Sequence, residues 1–198
     1  MNDPRTLQFY FDYVDPACLL LEHRLRSLAR GGRFVLSVEP FEVAVPPAPL
    51  VDPGRPEIVQ HWEEMEKEAE RLGLELERPW IIPWTRKAHE LALFGKSKGC
   101  FREIHDTLFR AYLVEGLDIG RVDILVSLAR RHRLDESETK AVLDVDQEAE
   151  TVTAKRQEAL EQGVSRTPTL FWHGQQLRGY PDEKRLRDFL ALGAQNET

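Results

Sequence analysis

The sequence predicts an α/β protein in which one mixed sheet is assembled from a βαβ head and a ββα tail, with an all-helical subdomain inserted between them. Two observations carry this expectation. Runs dense in β-branched and aromatic residues cluster towards the two ends of the chain (TLQFYFDYV, RFVLSVEPFEV, TLFWH), whereas the stretch between them spaces its apolar residues at helical period. The length of 198 residues, 41% of them hydrophobic, suffices for one substantial core and is short for several independent domains.

Each element has its own signal. TLQFYFDYV contains no breaker and suits a buried first strand. Asp15 followed by Pro16 marks a helix start, because the carboxylate accepts from first-turn amides while proline fills a position that needs no donor. Leu21, Leu25 and Leu28 follow at helical spacing, Cys18 lies one turn earlier on the same stripe, and Gly31-Gly32 ends the run. RFVLSVEPFEV is the second strand, parallel to the first through a right-handed crossover. VPPAPLVDPGRP, with five prolines in twelve residues, reads as an extended surface connection. Beyond it, Ile58, Trp62, Met65, Ala69 and Leu72 share one helical face, and Glu63, Glu64, Glu66 and Glu68 form a solvated one. TRKAHELALF, CFREIHDTLFRAYLVEG, RVDILVSLARRHR and SETKAVLDVDQEAETVTAKRQEALEQ continue in this style, so residues 57 to 162 read as nearly all helix. No fixed-period repeat suggests a solenoid. The chain closes with a strand (TLFWH), a tight turn (GQQ), a short strand (LRGY) and a helix (PDEKRLRDFLALG) with Pro181 near its start.

Residues 1–56 and 157–198 are thus assigned to the sheet domain and 57–156 to the helical insertion, the outline of a thioredoxin-like domain carrying an inserted subdomain. The formal charge of -7, from 34 acidic and 27 basic side chains, offers no general attraction to nucleic acid or to an anionic membrane. No apolar run approaches the ~18 residues of a membrane span, and MNDPRTLQFYF lacks the cationic start of a secretory signal, so a cytoplasmic location is expected. Two cysteines make no stapled framework and stay free in a reducing compartment. No HExxH pair, finger-like spacing, GxSxG elbow, Walker loop or GxGxxG occurs, and no metal site is expected. His23, His61, His89, His105 and His132 lie in helical stretches and read as solvated or capping.

Two segments carry chemistry. In D-P-A-C, an Asp15 cap makes Cys18 the third helical residue, where free amides and the positive end of the dipole favour a thiolate. Asp15 opposes this by competing for those amides and by its own charge. The alternative is that Cys18, on the leucine stripe, is a buried small hydrophobe; both readings stand at this point. Cys100 shares a stripe with Ile104, Leu108 and Tyr112 and is expected to face the core, inert. In GVSRTPTLFW, Gly163 ends a helix and Pro168 immediately precedes a strand, leaving a backbone edge open. If the bond before Pro168 is cis, Thr167 turns its amide and carbonyl towards a ligand; an ordinary trans proline introducing a strand is the alternative.

With these segments in order, the chain resembles the DsbA family of thioredoxin-fold proteins, and within it the cytoplasmic FrnE-type branch and the 2-hydroxychromene-2-carboxylate isomerase and kappa-class glutathione transferase group. The likeness spans nearly the whole chain. FYFDY precedes the motif, PWTRKAHELALF and LFRAYLVEGLDIGRVDILVSLA look like the family's insertion helices, and Gly-Val-x-x-Thr-Pro is the most specific piece. The resemblance implies thiol/disulfide or glutathione-linked chemistry between the Asp15–Cys18 helix start and the Thr167–Pro168 loop. Cys18 and Asp15 are the catalytic candidates, Cys18 forming a mixed disulfide with a small thiol and Asp15 capping the helix or moving a proton. Pro16, Arg166, Thr167 and Pro168 are the substrate-binding candidates. No tightly bound cofactor is implied, and glutathione is the candidate cosubstrate. The partners implied are a small thiol, a peptide or a small apolar substrate, with a homodimer left open.

The chain also departs from the family pattern. The FrnE-type motif is C-P-x-C, and Asp15 stands in the first cysteine's place, which removes the attacking member of a two-thiol relay. In the isomerase and kappa-class relatives a serine there holds glutathione's sulfur, whereas a carboxylate repels a thiolate. Arg166 stands where many relatives have glycine, two residues before the proline, and its guanidinium is expected to pair with Asp15. Two further readings follow: a glutathione-dependent isomerase or transferase in which bound thiol supplies the sulfur, and a catalytically silent module that binds a peptide or ligand in the cleft.

Overall fold

A computed structural model of the chain describes residues 5–191. Its elements run β1 (Thr6–Phe11), α1 (Pro16–Ala29), β2 (Val35–Pro40), α2 (Pro56–Arg71), α3 (Arg86–Ser97), α4 (Phe101–Leu113), α5 (Val122–Arg130), α6 (Glu136–Asp144), α7 (Ala149–Glu161), β3 (Thr169–Trp172), β4 (Gln175–Arg178) and α8 (Glu183–Ala191). The strands form one mixed sheet in the order β2-β1-β3-β4. β1 runs parallel to β2, from Thr6 opposite Val35 to Phe11 opposite Pro40, because α1 carries the chain back across the sheet. β3 lies antiparallel to β1, with Phe9 opposite Leu170, and β3 and β4 form a hairpin. The hairpin turns at His173-Gly174, both at positive φ, one residue earlier than the GQQ turn read from the sequence. Of the expected closing helix, Leu192 and Gly193 lie outside the described residues.

The core forms where β1 meets α1 and α4. Leu7, Phe9, Phe11 and Tyr13 pack with Cys18, Leu21 and Leu25 of α1 and with Ile104, Leu108 and Phe109 of α4, all buried. Leu28 is 37% exposed, so the buried stripe ends one turn before its periodic pattern does. Among the described residues no helix is long and apolar enough to cross a membrane.

Three expectations need correction. Residues 72 to 85 are not helical: Pro79 and Pro83 interrupt the pattern, and the segment is tied down by Glu77 N donating to Leu113 O at 2.8 Å and by a bridge between Val51 and Ile82. α7 runs through position 157 without a break, so the chosen boundary falls inside a helix. His89 and His105 are neither solvated nor capping, being 1% and 0% exposed. Each faces a buried carboxylate, His89 Nε2 at 3.2 Å from Asp12 and His105 Nε2 at 2.8 Å from Glu22, while the Tyr13 hydroxyl is hydrogen-bonded to His105 Nδ1 at 3.0 Å. Helical spacing marks which residues share a face, but it does not announce a polar partner waiting on the neighbouring element.

Candidate functional site

The turn leaving β1 is fixed before any site residue is reached. Asp12, almost fully buried, accepts from Tyr13 N and Val43 N, both at 2.8 Å, which ties the strand end to the segment after β2. Buried carboxylates persist where such donors satisfy them. Asp15 then caps α1 from an extended backbone, its Oδ1 accepting from Ala17 N at 3.0 Å, with Pro16 at the first helical position.

The cap is also a junction. His61 Nε2 of α2 lies 3.0 Å from Asp15 Oδ1, and the Thr167 hydroxyl donates to Asp15 Oδ2 at 2.8 Å. The Thr167-Pro168 bond is cis, and Thr167 is 8% exposed. The carboxylate therefore draws together the start of α1, the first helix after the proline-rich connection and the loop before β3. The Asp15 side chain is 13% exposed and that of His61 38%, so the imidazole is the member that solvent and ligand reach. The Asp15 hydrogen bond, and after it the charges of Asp15 and Glu64, raises the His61 pKa; partial burial and the Arg166 charge pull the other way and lose.

Cys18 sits beneath this junction with no exposed surface. Burial pushes its thiol well above the usual range and the Asp15 charge pushes it further, while the Asp12 backbone and the Thr167 hydroxyl favour the thiolate without prevailing. Placement in a first helical turn is thus outweighed by desolvation, and the geometry gives Cys18 the character of a packed apolar residue. Cys100 is a second free thiol, half-buried at the start of α4 and likewise raised, first by burial.

Of the six residues expected at the site, Asp15, Pro16, Cys18, Thr167 and Pro168 come together. Arg166 is in the adjoining loop but forms no ion pair with Asp15: it is exposed, and among the described residues its guanidinium makes no hydrogen bond or ion pair. The carboxylate is already met by Ala17 N, His61 and Thr167, so the neutralising role foreseen for Arg166 belongs to His61. Sequence reading missed His61 because a histidine beside the apolar Ile58/Trp62/Met65 stripe looks like a solvated flank. The available signal was the aspartate itself, a carboxylate at a helix start that needs a cation from a neighbouring element.

The arrangement can move protons. Asp15 orients the His61 ring through Nε2, while no hydrogen bond engages Nδ1 among the described residues, the layout of a carboxylate-oriented general base or acid. It cannot run an intramolecular dithiol cycle at this helix start, where one thiol stands alone. Among the described residues no three His, Cys, Asp or Glu side chains cluster as a metal site requires. Clefts of about 680 Å³ beside Arg24, Met65 and Tyr180, and of about 650 Å³ beside Pro46, Trp84 and Arg86, include none of the junction residues. Volume alone therefore does not mark this site.

Comparison with known proteins agrees with the fold. The chain is 30% identical over 142 residues to YwbO of Bacillus subtilis (strain 168), covering 70% of this chain and 71% of that protein. The probable DsbA oxidoreductase SCO1869 of Streptomyces coelicolor superposes with a TM-score of 0.84 at 18% identity, covering 98% of this chain and 91% of that one. A 2-hydroxychromene-2-carboxylate isomerase superposes at 0.80 and 18% identity (97% and 98%), and the cytosolic disulfide reductase DsbM of Pseudomonas aeruginosa, solved with GSH, at 0.66 and 15% (98% and 100%). At these identities the solved structures share the fold alone. The model of the DSBA-like thioredoxin domain matches residues 6–191, nearly everything the sheet, the junction and the inserted helices comprise, and the chain belongs to that family.

Proposed function

We propose that the protein is a glutathione-linked enzyme of isomerase or transferase type, in which a bound thiol supplies the sulfur and His61 moves the proton. The observation that carries this reading is the 3.0 Å contact between Asp15 and His61 at the place where the family resemblance puts the first cysteine. Asp15 alone would repel a thiolate, but a His61 with raised proton affinity offsets that charge. His61 Nδ1 takes the proton of the bound thiol, and the thiolate forms a carbon–sulfur bond to an electron-poor carbon of the second substrate. The imidazolium then returns the proton to the neighbouring carbon. Conjugation ends there. Isomerisation ends when the proton returns to His61 and the thiolate leaves as the double bond re-forms, with no net gain or loss of electrons. Pro16, Thr167 and Pro168 line the seat of the thiol in this reading, and Cys18 is packing beneath it. The shared fold of the isomerase and of DsbM, solved with GSH, supports the reading without carrying it. A cytoplasmic location, where glutathione is abundant, fits the same proposal.

The test is calorimetric titration with glutathione, together with the ultraviolet thiolate absorbance of the complex across pH, in the parent protein and in His61→Asn. Asparagine retains a donor to Asp15 and cannot titrate. The expected result is binding by both proteins, with the bound thiol ionising at lower pH only in the parent. Absence of binding to the parent overturns the reading. Binding with an identical thiolate titration in both proteins points instead to the catalytically silent module.

A further inference from the structure

The junction of Asp15, His61 and Thr167 lies beyond the end of β1, after Phe11. The opposite end of the sheet has a cleft of its own. There β1 begins at Thr6 opposite Val35 of β2, and antiparallel β3 finishes at Trp172, one residue past the pairing of Phe171 with Gln8. The length of β1, six residues at about 3.3 Å each, puts roughly 17 Å between the two ends. The cleft opens between the last turn of α1, the start of β2, the end of β3 and α8, and its volume of about 490 Å³ is that of a small-molecule site, for which about 300–1,000 Å³ is usual.

The floor of the cleft is apolar, formed by Leu28, Phe34, Trp172 and Leu190. Phe34 and Trp172 meet edge to face with ring centroids 5.9 Å apart, and both are almost fully buried. Neither offers a free ring face for stacking, so the space suits a flexible chain better than a flat ring. The indole N–H of Trp172 is buried and has no hydrogen-bond partner among the described residues, an orphaned donor that lacks only an acceptor. The rim carries the guanidinium groups of Arg5, Arg33 and Arg187 against a single carboxylate, Asp188, and Lys184 already holds that carboxylate at 3.0 Å. Arg187 also contacts Glu183 at 3.4 Å, an exposed pair that solvent screens. In a chain of formal charge -7 this mouth is locally cationic. Floor, donor and rim call for one chemistry, an acid group on an aliphatic body.

We propose that this cleft binds a medium-chain alkyl carboxylate, its chain lying on Leu28, Phe34 and Leu190 and its acid group meeting the Trp172 N–H and the arginine rim. The site is separate from the junction and does not depend on the glutathione reading. Neither half of the ligand suffices: a short acid brings the charge without apolar area to bury, and an alcohol of the same chain brings the area without the anion that a guanidinium recognises.

The test follows the indole N–H signals of the four tryptophans by NMR during titration with octanoate, with 1-octanol and acetate as controls. Trp172→Phe keeps a ring, removes the donor and so identifies the Trp172 signal. Octanoate should move that signal with a Kd of about 1 mM or below. Octanol should bind about tenfold more weakly, and Arg33→Gln, an exposed substitution, should weaken octanoate by about the same factor. Acetate should leave the signal in place. His61→Asn should bind octanoate as the parent does, whether or not either protein binds glutathione. A Trp172 signal that octanoate does not move, equal affinity for octanoate and octanol, or unchanged affinity in Arg33→Gln overturns the proposal. Loss of octanoate binding in His61→Asn overturns it too, by placing the acid at the junction instead.

Discussion

Replacing Asp15 separates the three tasks its carboxylate performs. Asparagine caps a helix as well as aspartate does, its single oxygen facing Ala17 N while its amide NH₂ donates to the Thr167 hydroxyl, so Asp15→Asn removes chiefly the charge opposite His61. Because the imidazole is 38% exposed, solvent screens the pair, and the loss is about 0.5–1 kcal/mol, or roughly 1–4 °C in Tm for a chain of this size. Asp15→Ala also deletes the cap and leaves the Thr167 hydroxyl without its acceptor, which brings the loss to about 2–3 kcal/mol, or roughly 5–10 °C. The pH dependence has a definite sign. The His61 pKa is raised above its ordinary value of 6.5 in the folded protein, so the charge contribution is fully present below pH 6.5 and is lost as pH rises through the folded value. The gap in Tm between parent and Asp15→Asn should accordingly be widest just below pH 6.5 and shrink as His61 deprotonates. Thermal unfolding of the two proteins at a series of pH values, with the His61 titration read by NMR, measures both quantities. A pH-independent gap, or an unchanged His61 titration in Asp15→Asn, would refute the reasoning.

Thr167→Val should cost about 1.5–3 kcal/mol in chemical denaturation, because a nearly buried hydroxyl bonded to a carboxylate is lost without a change of shape, and Thr167→Ser should recover most of it. In native protein near neutral pH, Cys18 should resist disulfide reagents while half-buried Cys100 reacts first, and full unfolding should release both thiols, which intact mass spectrometry can count. The buried Glu22 is pushed up by burial but pulled below its ordinary 4.5 by His105 and Arg26, so its contribution is present above pH 4.5 and is lost as pH falls through the lower folded value. Glu22→Gln should therefore lose about 3 kcal/mol at neutral pH and show a flatter acid limb than the parent in urea unfolding.

The ends of the chain were the most legible part. Breaker-free β1, the Asp15-Pro16 cap and the Gly31-Gly32 stop are local signals, each decided by neighbouring residues, and the structure places the elements where these signals fall. The hairpin came out one residue off because His173 accepts a positive φ that the sequence gave little reason to expect outside glycine. Segment 72 to 85 was misread as part of a helical run because its structure comes from distant partners, Leu113 and Val51, that no local pattern encodes. The site divides in the same way. Asp15, Cys18, Thr167 and Pro168 were found through short motifs. His61 was not, since its role depends on α2 crossing above the start of α1, a fact of tertiary packing. Arg166 was placed correctly in the chain and given the wrong partner, because a sequence shows that two charges are present but not which one arrives first.

The account turns on whether the sulfur that reacts belongs to the protein or to its ligand. The direct measurement is the ultraviolet thiolate absorbance of glutathione bound to Cys18→Ala, a substitution that shortens a packed side chain and should cost about 1 kcal/mol of stability. A thiolate titration matching that of the parent complex is the predicted result. Disappearance of the signal in Cys18→Ala, with a mixed disulfide between Cys18 and glutathione in the parent, would contradict it.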